Sequence, residues 1–74
     1  MSGSVYKVLE LVGTSKDSWE EAAKSAVTKA GESIRDLRIA DVVQFDMKVE
    51  DNEVVAFRAR VKVSFKIMGA AYDD

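Results

Sequence analysis

The chain has 74 residues, with 11 basic and 13 acidic side chains that give a formal net charge of -2, and it contains no cysteine and no histidine. These counts exclude a disulfide framework and a zinc site of the usual cysteine and histidine type. A chain this short buries only about 60% of the surface that it exposes when unfolded, and small scaffolds without cross-links usually gain stability by oligomerisation, so we expect an oligomer.

The charge balance also bears on partners and location. A nucleic-acid binder is expected to show a basic excess or a basic stripe with interleaved aromatic residues, and acidic residues on a neighbouring strand can neutralise the basic side chains at 58, 60, 62 and 66. No apolar run approaches the roughly 20 residues of a membrane span, and the N-terminus has no hydrophobic signal region. We expect no nucleic-acid partner, no membrane partner and a cytoplasmic location.

The first predicted elements are a strand and a helix. Val5–Val12 is largely apolar on both of its faces, which predicts a strand covered on both sides, by the helix and by a neighbouring subunit. Gly13–Asp17 is rich in turn formers and predicts the connector. Ser18, followed three residues later by Glu21, fits a capping box. We therefore expect a helix that starts at Ser18 and ends near residues 33–35.

The predicted helix carries a narrow apolar stripe whose members recur at spacings of three and four: Trp19, Ala22, Ala23, Ala26, Val27, Ala30 and Ile34. Small side chains allow a helix to lie close against a sheet, so we expect the helix to sit in the concave side of the strands. We interpret Trp19, at the first helical turn, as a core or subunit contact and not as a platform for a ligand.

A long hairpin follows, in which apolar residues occupy the odd positions from Ile39 onwards, apart from Asp41 and the turn. This period of two predicts a long second strand and a third strand over about Val54–Ile67. For the odd residues of both strands to share a face, opposite residues must have an even sum, as in Glu50 with Val54. We therefore expect a three-residue loop at 51–53, or a bulge, with residue 52 or 53 in the left-handed conformation.

We interpret the chain as one domain, 1–74, with loose tails at 1–4 and 69–74.

Candidate catalytic groups are missing from this pattern. Without histidine or cysteine there is no standard triad or thiolate, and there is no glycine-rich phosphate loop. Glu20 and Glu21 are adjacent carboxylates, but in the first turn of a helix they are typical of capping and of a favourable interaction with the positive helix end. The sequence therefore indicates a protein that is not an enzyme.

Metal binding through oxygen ligands remains open, because several carboxylates surround the hairpin and calcium takes about six to eight oxygens. Asp46 and Glu50 are the candidate metal ligands. In the even-sum register Asp46 faces Arg58, so the alternative for Asp46 is a cross-strand ion pair. The alternative for Glu50 is a solvated turn.

The chain resembles the dodecin family over about residues 5–67. The resemblance rests on four segments: Val5-Tyr6-Lys7-Val8, Gly13-Thr14-Ser15, Ser18-Trp19-Glu20-Glu21-Ala22 and Val61-Lys62-Val63-Ser64-Phe65-Lys66. It implies an α+β fold of the order β-α-β-β, in which a three-stranded antiparallel sheet is partly wrapped round one helix. It also implies that twelve subunits close into a hollow shell.

Flavin-binding dodecins stack a flavin on the Trp of the motif Leu-Arg-Trp-Phe-Glu-Val-Val and hold its edge with a Gln in the third strand. In this chain the motif is replaced by residues 37–43, where Ile39 stands in place of the Trp, and Arg58 occupies the position of the Gln. A branched aliphatic side chain offers no flat stacking surface. The sequence is more similar to the calcium-dodecin branch, to which Asp46-Met47 and Ser64-Phe65-Lys66 correspond best.

The resemblance therefore implies a homo-dodecameric storage shell that binds calcium or another divalent cation, while flavin is not expected. Two alternatives stay open. One is a store for riboflavin or FMN with a rearranged pocket around Ile39 and Arg58, and the other is a purely structural assembly without a small ligand.

Overall fold

The computed structural model describes residues 5–67, and the predicted tails at 1–4 and 69–74 lie outside this range. The elements are β1 (Tyr6–Ser15), α1 (Trp19–Ser33), β2 (Leu37–Glu50) and β3 (Glu53–Lys66). They form one antiparallel sheet with the strand order β1-β3-β2, and α1 packs on one face of it. The predicted α+β fold, a three-stranded antiparallel sheet partly wrapped round one helix, is confirmed.

The helix begins and ends where its local signals predict. Ser18 is the N-cap, and its Oγ accepts a hydrogen bond from the backbone N–H of Glu21 at 3.0 Å. The N–H of Ser18 in turn donates to Oγ of Ser15 at 3.4 Å. At the other end, the N–H of Ile34 donates to the carbonyl of Ala30 at 2.9 Å, which closes the last turn. The hydroxyl of Ser18 thus caps the helix, while the hydroxyl of Ser15 satisfies the N–H of Ser18 itself.

The core between helix and sheet consists of small side chains. Each of the following is less than 9% exposed: Ala22, Ala26, Ala30, Ala59, Val61 and Val63. Leu9, Leu11 and Leu37 are partly buried against this cluster. Because neither surface carries a bulky residue at the centre of the contact, the helix lies close to the strands, as the alanine stripe predicts.

Strand β1 continues three residues beyond its predicted end at Val12, so the prediction of a connector beginning at Gly13 was wrong. Gly13 is buried opposite Ala59 in the register of β1 with β3. A Cβ atom on Gly13 would overlap the carbonyl oxygen of Ala22 and would lie 3.0 Å from the Cβ of Ala26. The glycine therefore marks a close approach of strand to helix and not a turn.

The hairpin turn has a two-residue loop and not the three-residue loop of the first predicted solution. Asp51 and Asn52 both have left-handed backbone angles, with φ values of 52° and 64°, and Glu50 pairs with Glu53. Two consecutive left-handed residues are typical of a type I′ turn with a two-residue loop. The three-residue loop and the pairing of Glu50 with Val54 were therefore wrong, and the left-handed conformation of Asn52 is confirmed.

A bulge restores the even-sum register, as the second predicted solution requires. The pairing shifts between Lys48 and Val49, and from that point Phe45 lies opposite Ala59 as predicted. A β-bulge adds one residue to one strand and thereby reverses the face on which the following pairs lie. The bulge thus returns the apolar odd residues of both strands to the helix side.

A second register shift, between Val42 and Gln44, was not predicted. It leaves Val43 unpaired and places Ala40 opposite Val63, on the helix side of the sheet. Ile39 lies opposite Ser64 on the other face, which we call the outer face. The expectation that Ile39 shares a face with the odd residues of β3 was therefore wrong, because the unpaired residue exchanges the two faces of β2.

Candidate functional site

The carboxylate of Asp46 is held by the guanidinium group of Arg58 across β2 and β3. Nε of Arg58 donates to Oδ1 at 2.6 Å, and Nη2 donates to Oδ2 at 2.8 Å. A bidentate pair of this kind combines two charge-assisted hydrogen bonds with a fixed geometry. The cross-strand ion pair that the register predicts is confirmed, and it occupies both oxygens of one candidate metal ligand.

A second ion pair joins β3 to β1. Nη1 of Arg60 donates to Oε2 of Glu10 at 2.9 Å. Together with the pair of Asp46 and Arg58, it links the central strand to both of its neighbours on the outer face. Acidic residues on the flanking strands therefore neutralise these two arginines, as we expected.

The backbone at Asp46 is fixed from the helix side by Trp19. The indole Nε1–H donates to the carbonyl oxygen of Asp46 at 3.0 Å. The same ring contacts Phe57 edge-on, with centroids 5.0 Å apart, and Phe45 at 5.8 Å. This cluster confirms that Trp19 makes apolar packing contacts. Its hydrogen bond was missed, although the need of an indole N–H for an acceptor is the signal that could have suggested it.

The pKa of Asp46 lies below its ordinary value of 3.8 because Arg58 donates hydrogen bonds to the carboxylate. Partial burial opposes this effect, and the positive charges of Arg58 and Arg60 add to it. A carboxylate whose pKa is lower in the folded than in the unfolded state stabilises the fold above the unfolded pKa. That stabilisation disappears as the pH falls through the folded pKa.

This direction yields a prediction for the acid stability of the hairpin. In a double-mutant cycle of Asp46→Asn and Arg58→Gln, measured by urea unfolding at constant protein concentration, we expect a favourable coupling at neutral pH. The coupling should stay constant down to about pH 5 and decline below about pH 4, as Asp46 becomes protonated. A coupling that is equal at pH 7 and pH 3 would contradict the assignment.

Glu50, the other candidate metal ligand, lies at the end of β2. Its Oε2 is 3.5 Å from Nζ of Lys48, and both side chains are more than half exposed. Asp46 and Glu50 are four residues apart on one strand, which places their Cα atoms about 13 Å apart. Two oxygens on one calcium ion are at most about 5 Å apart, because each lies about 2.3–2.6 Å from the metal. The Asp46 carboxylate is turned to Arg58 and the Glu50 carboxylate to Lys48, so the structure does not bring these two carboxylates together within one chain.

Other acidic side chains of the described chain do not form a cation site either. Among residues 5–67, no group of three or more acidic side chains is arranged to hold a metal ion. A complete oxygen cage is thus not assembled from the described residues of a single copy.

Ile39 and Arg58, the predicted cofactor positions, are also kept apart. Ile39 pairs with Ser64, which is six residues from Arg58 along β3, or about 20 Å. Ile39 is 63% exposed on the outer face, whereas the guanidinium of Arg58 is engaged by Asp46. One chain therefore presents these two positions as separate surfaces.

A small cavity lies between α1 and the start of β2, which the sequence did not indicate. Its volume is about 120 Å³, and it is lined by Val27, Leu37, Arg38, Ile39, Ala40 and Val63. Typical ligand pockets have volumes of about 300–1,000 Å³. Within one chain this cavity is therefore too small to enclose a flavin ring system.

Many large apolar side chains are exposed, and eight of them form two patches. The outer patch consists of Tyr6, Val8, Val12 and Ile39, whose exposure ranges from 44% to 63%. The hairpin patch consists of Phe45, Met47, Val49 and Val54, whose exposure ranges from 46% to 58%. Exposed apolar surface on this scale is typical of a protein interface.

Known proteins resemble this chain over most of its length. The family model for dodecin matches residues 5–68. A calcium dodecin from Mycobacterium tuberculosis is 45% identical over 67 residues, which cover 90% of this chain and 94% of the relative. A dodecin from Thermus thermophilus is 31% identical over 65 residues, which cover 88% of this chain and 94% of the relative.

Solved structures agree with these relatives. The structure of dodecin from Streptomyces coelicolor superposes with a TM-score of 0.84 at 34% identity, covering 95% of this chain and all of that one. The calcium dodecin of M. tuberculosis, described as a calcium-chelating antigen with a novel calcium-binding site, superposes with a TM-score of 0.79 at 43% identity. It covers 90% of this chain and 96% of its own. Within residues 5–67, α1 is too short and too polar to cross a membrane. From the match of fold and sequence along nearly the whole chain, this protein belongs to the dodecin family.

Proposed function

We propose that this protein is a non-enzymatic dodecin that assembles into a dodecameric hollow shell and binds calcium or another divalent cation. The observation that carries the proposal is its 45% identity, over 90% of the chain, to a calcium dodecin. The same relative is described as calcium-chelating in its solved structure. We infer that this chain belongs to the calcium-dodecin branch of the family.

The residues at the predicted flavin positions favour a cation over a flavin. Ile39 is aliphatic and cannot stack on an isoalloxazine ring as an aromatic side chain does. Arg58 has its guanidinium group engaged by Asp46 and is not free to bind the edge of a flavin. The small cavity beside Ile39 agrees with this preference.

Assembly is supported by what a single copy leaves exposed. Strand β1 is covered by α1 on one face, where Leu9 and Leu11 pack against the core. On its other face Val8 is 54% exposed and Val12 is 44% exposed. Burying apolar surface stabilises by about 25 cal/mol per Å², so other copies that cover the outer patch and the hairpin patch would supply stability that the small core lacks.

Asp46 and Glu50 are the proposed cation ligands, and they differ in availability. Both oxygens of Asp46 are bound by Arg58, which a cation would have to displace. Glu50 is more exposed, and its Oε2 lies 3.5 Å from Nζ of Lys48. Ion pairs at exposed sites contribute little, so Glu50 is the less costly of the two to recruit.

Titration of metal-free protein with calcium chloride in a calorimeter tests the proposal. We expect binding heat and a higher unfolding temperature in calcium than in EDTA, because a ligand that binds only the folded protein stabilises it. Glu50→Gln should weaken binding by about tenfold or more, which corresponds to roughly 1.4 kcal/mol. Glu32→Gln, which removes an exposed carboxylate on α1, is the control and should leave the affinity unchanged.

Absence of heat and of a thermal shift at millimolar calcium would contradict the proposed function. Riboflavin titration separates the remaining alternatives. Quenching of its fluorescence would favour a flavin store, whereas no response to either ligand would favour a purely structural assembly.

The size of the assembly is a separate prediction. Size-exclusion chromatography with light scattering should give about twelve times the chain mass of 8.2 kDa. A molar mass equal to that of one chain would contradict the dodecameric shell, whatever the result with calcium.

A further inference from the structure

We propose that the tip of the hairpin, residues 49–55, exchanges between two strand registers, and that the charges of Glu50 and Glu53 set the balance between them. In the bulged register, which the structure shows, the turn is a two-residue loop and one residue of β3 is unpaired. In the looped register, a second and less populated state, that residue is paired and the loop contains residues 51–53. The inference goes beyond the proposed function and does not depend on calcium.

The unpaired residue of the bulged register is Val55. Val49 pairs with Val54 in this register. The next pair along the hairpin is Lys48 with Ala56, so Val55 has no partner on β2. Moving the extra residue into the loop pairs Val49 with Val55 and leaves the next pair as it is. The two registers therefore differ only at the tip, and the rest of the hairpin stays paired during the exchange.

The apolar side chains of the tip do not select one register. Val54 lies opposite Val49 in the bulged register, and Val55 takes that place in the looped register. Because these two side chains are identical, a neighbouring copy that covers the hairpin patch meets a valine in either case. Val49, Val54 and Val55 are 58%, 51% and 37% exposed. Since a register is strongly specified where one face of a strand is buried, the register of this tip is left open.

Charge acts against the bulged register. Glu50 lies directly opposite Glu53 in it, and like charges at opposite positions destabilise a strand pair. In the looped register Glu50 lies opposite Val54, and Glu53 moves into the loop. The contact of Glu50 with Lys48, at 3.5 Å, joins two residues of the same strand and is available in both registers. The repulsion between the two glutamates is therefore the charge effect that distinguishes the registers.

Backbone preferences act in the opposite direction. The two-residue loop requires a positive φ at Asp51 and at Asn52, where the angles are 52° and 64°. Aspartate and asparagine adopt this conformation more readily than other residues that carry a side chain. A three-residue loop usually places its third residue there, which in this chain is Glu53. Because the backbone favours one register and charge favours the other, we expect both to be populated.

Nuclear magnetic resonance of the deuterated wild-type protein in EDTA tests the exchange. Carbon chemical shifts of residues 51–53 report the sign of φ, and relaxation dispersion detects exchange on the μs–ms timescale. We expect exchange at residues 50–55 and none in the strand pairs beyond Lys48 and Ala56. Raising sodium chloride from about 0.1 M to about 1 M shortens the screening length from about 10 Å to about 3 Å, and should increase the bulged population.

Two variants at one position separate charge from backbone preference. Glu53→Gln removes the repulsion with Glu50, and we expect it to raise the ratio of bulged to looped register by up to about fivefold. Glu53→Gly removes the same charge but also adopts a positive φ without steric cost. Relative to Glu53→Gln, it should shift the ratio towards the looped register by about threefold or more. Glu32→Gln, which removes an exposed carboxylate on α1, is the control and should leave the ratio unchanged.

Two results would overturn the proposal. One is a single set of signals without dispersion, in which residues 51 and 52 keep their left-handed shifts even in Glu53→Gly. The other is exchange that extends along the strands to Phe45 and Ala59, because the whole hairpin would then open and not only its tip. Neither result bears on calcium binding, since these measurements are made in EDTA.

Discussion

Gly13→Ala is expected to destabilise the fold by about 3 kcal/mol, the upper end of the usual cost of overpacking a core. The added methyl group would overlap the carbonyl oxygen of Ala22 and press on the Cβ of Ala26. A backbone oxygen in a helix cannot rotate away as a side chain can, so α1 would have to move off the sheet. No glycine of the described chain has a positive φ, and the cost is therefore steric.

Gly31→Ala is the matched control for this prediction. Gly31 lies inside α1, and the nearest atom to an added Cβ would be Cδ1 of Leu37, at a comfortable 3.9 Å. Alanine is favoured over glycine in a helix interior by about 1 kcal/mol, so this change should stabilise the protein. Urea unfolding followed by circular dichroism measures both variants at one protein concentration. A Gly13→Ala variant as stable as the wild type would show that α1 does not approach β1 as closely as described.

Trp19→Ala is expected to have the second large effect, a destabilisation of about 2–3 kcal/mol. Truncation of a fully buried tryptophan costs about 3–5 kcal/mol, and Trp19 is 37% exposed, which lowers the estimate. The change removes the ring contacts with Phe45 and Phe57 and the hydrogen bond to the carbonyl of Asp46. The hairpin would thereby lose its attachment to the start of α1.

Trp19→Phe separates the two contributions, because it keeps an aromatic ring but removes the N–H donor. We expect it to cost about 1 kcal/mol, the usual net value of one hydrogen bond. Amide hydrogen exchange should accelerate around residues 45–48 in both variants, and more strongly in Trp19→Ala. Equal stabilities of the two variants would show that ring packing contributes nothing, in contradiction to the observed aromatic cluster.

The elements that local chemistry controls were predictable. The start of α1 after its N-cap Ser18 follows from a hydroxyl that accepts a hydrogen bond from the N–H of Glu21, three residues along the chain. The alanine stripe predicts the buried side of the helix because its period belongs to the helix itself. The pair of Asp46 and Arg58 followed from the register, since opposite residues on one face of a sheet must meet.

The features that the sequence left open or predicted wrongly share a different cause. Gly13 is a turn former by local propensity, but its role depends on Ala22 and Ala26 of the helix above it. Parity required a three-residue loop or a bulge in the hairpin, and both satisfied the pattern equally well. The bulge at Val43 left no signal at all, because Val42 and Val43 are both apolar and either of them fits the helix side.

For the candidate site, too, the sequence showed local features but not contacts between distant segments. Its residue types were evident in the sequence: carboxylates at Asp46 and Glu50, and an aliphatic and a basic side chain at Ile39 and Arg58. The separation of Ile39 from Arg58 was not, because about 20 Å follows from the pairing of Ile39 with Ser64, which the unpaired Val43 shifts.

The sequence by itself determined the order of elements, the helix cap, the apolar faces and the chemistry available to a ligand, since these depend on neighbours a few residues apart. Only the tertiary structure decided where β1 ends, which residues bulge and which side chains come within reach of one another. Those features depend on contacts between segments distant in the chain. In the pairing of β2 with β3, for example, the one unpaired residue Val43 exchanges the two faces of β2.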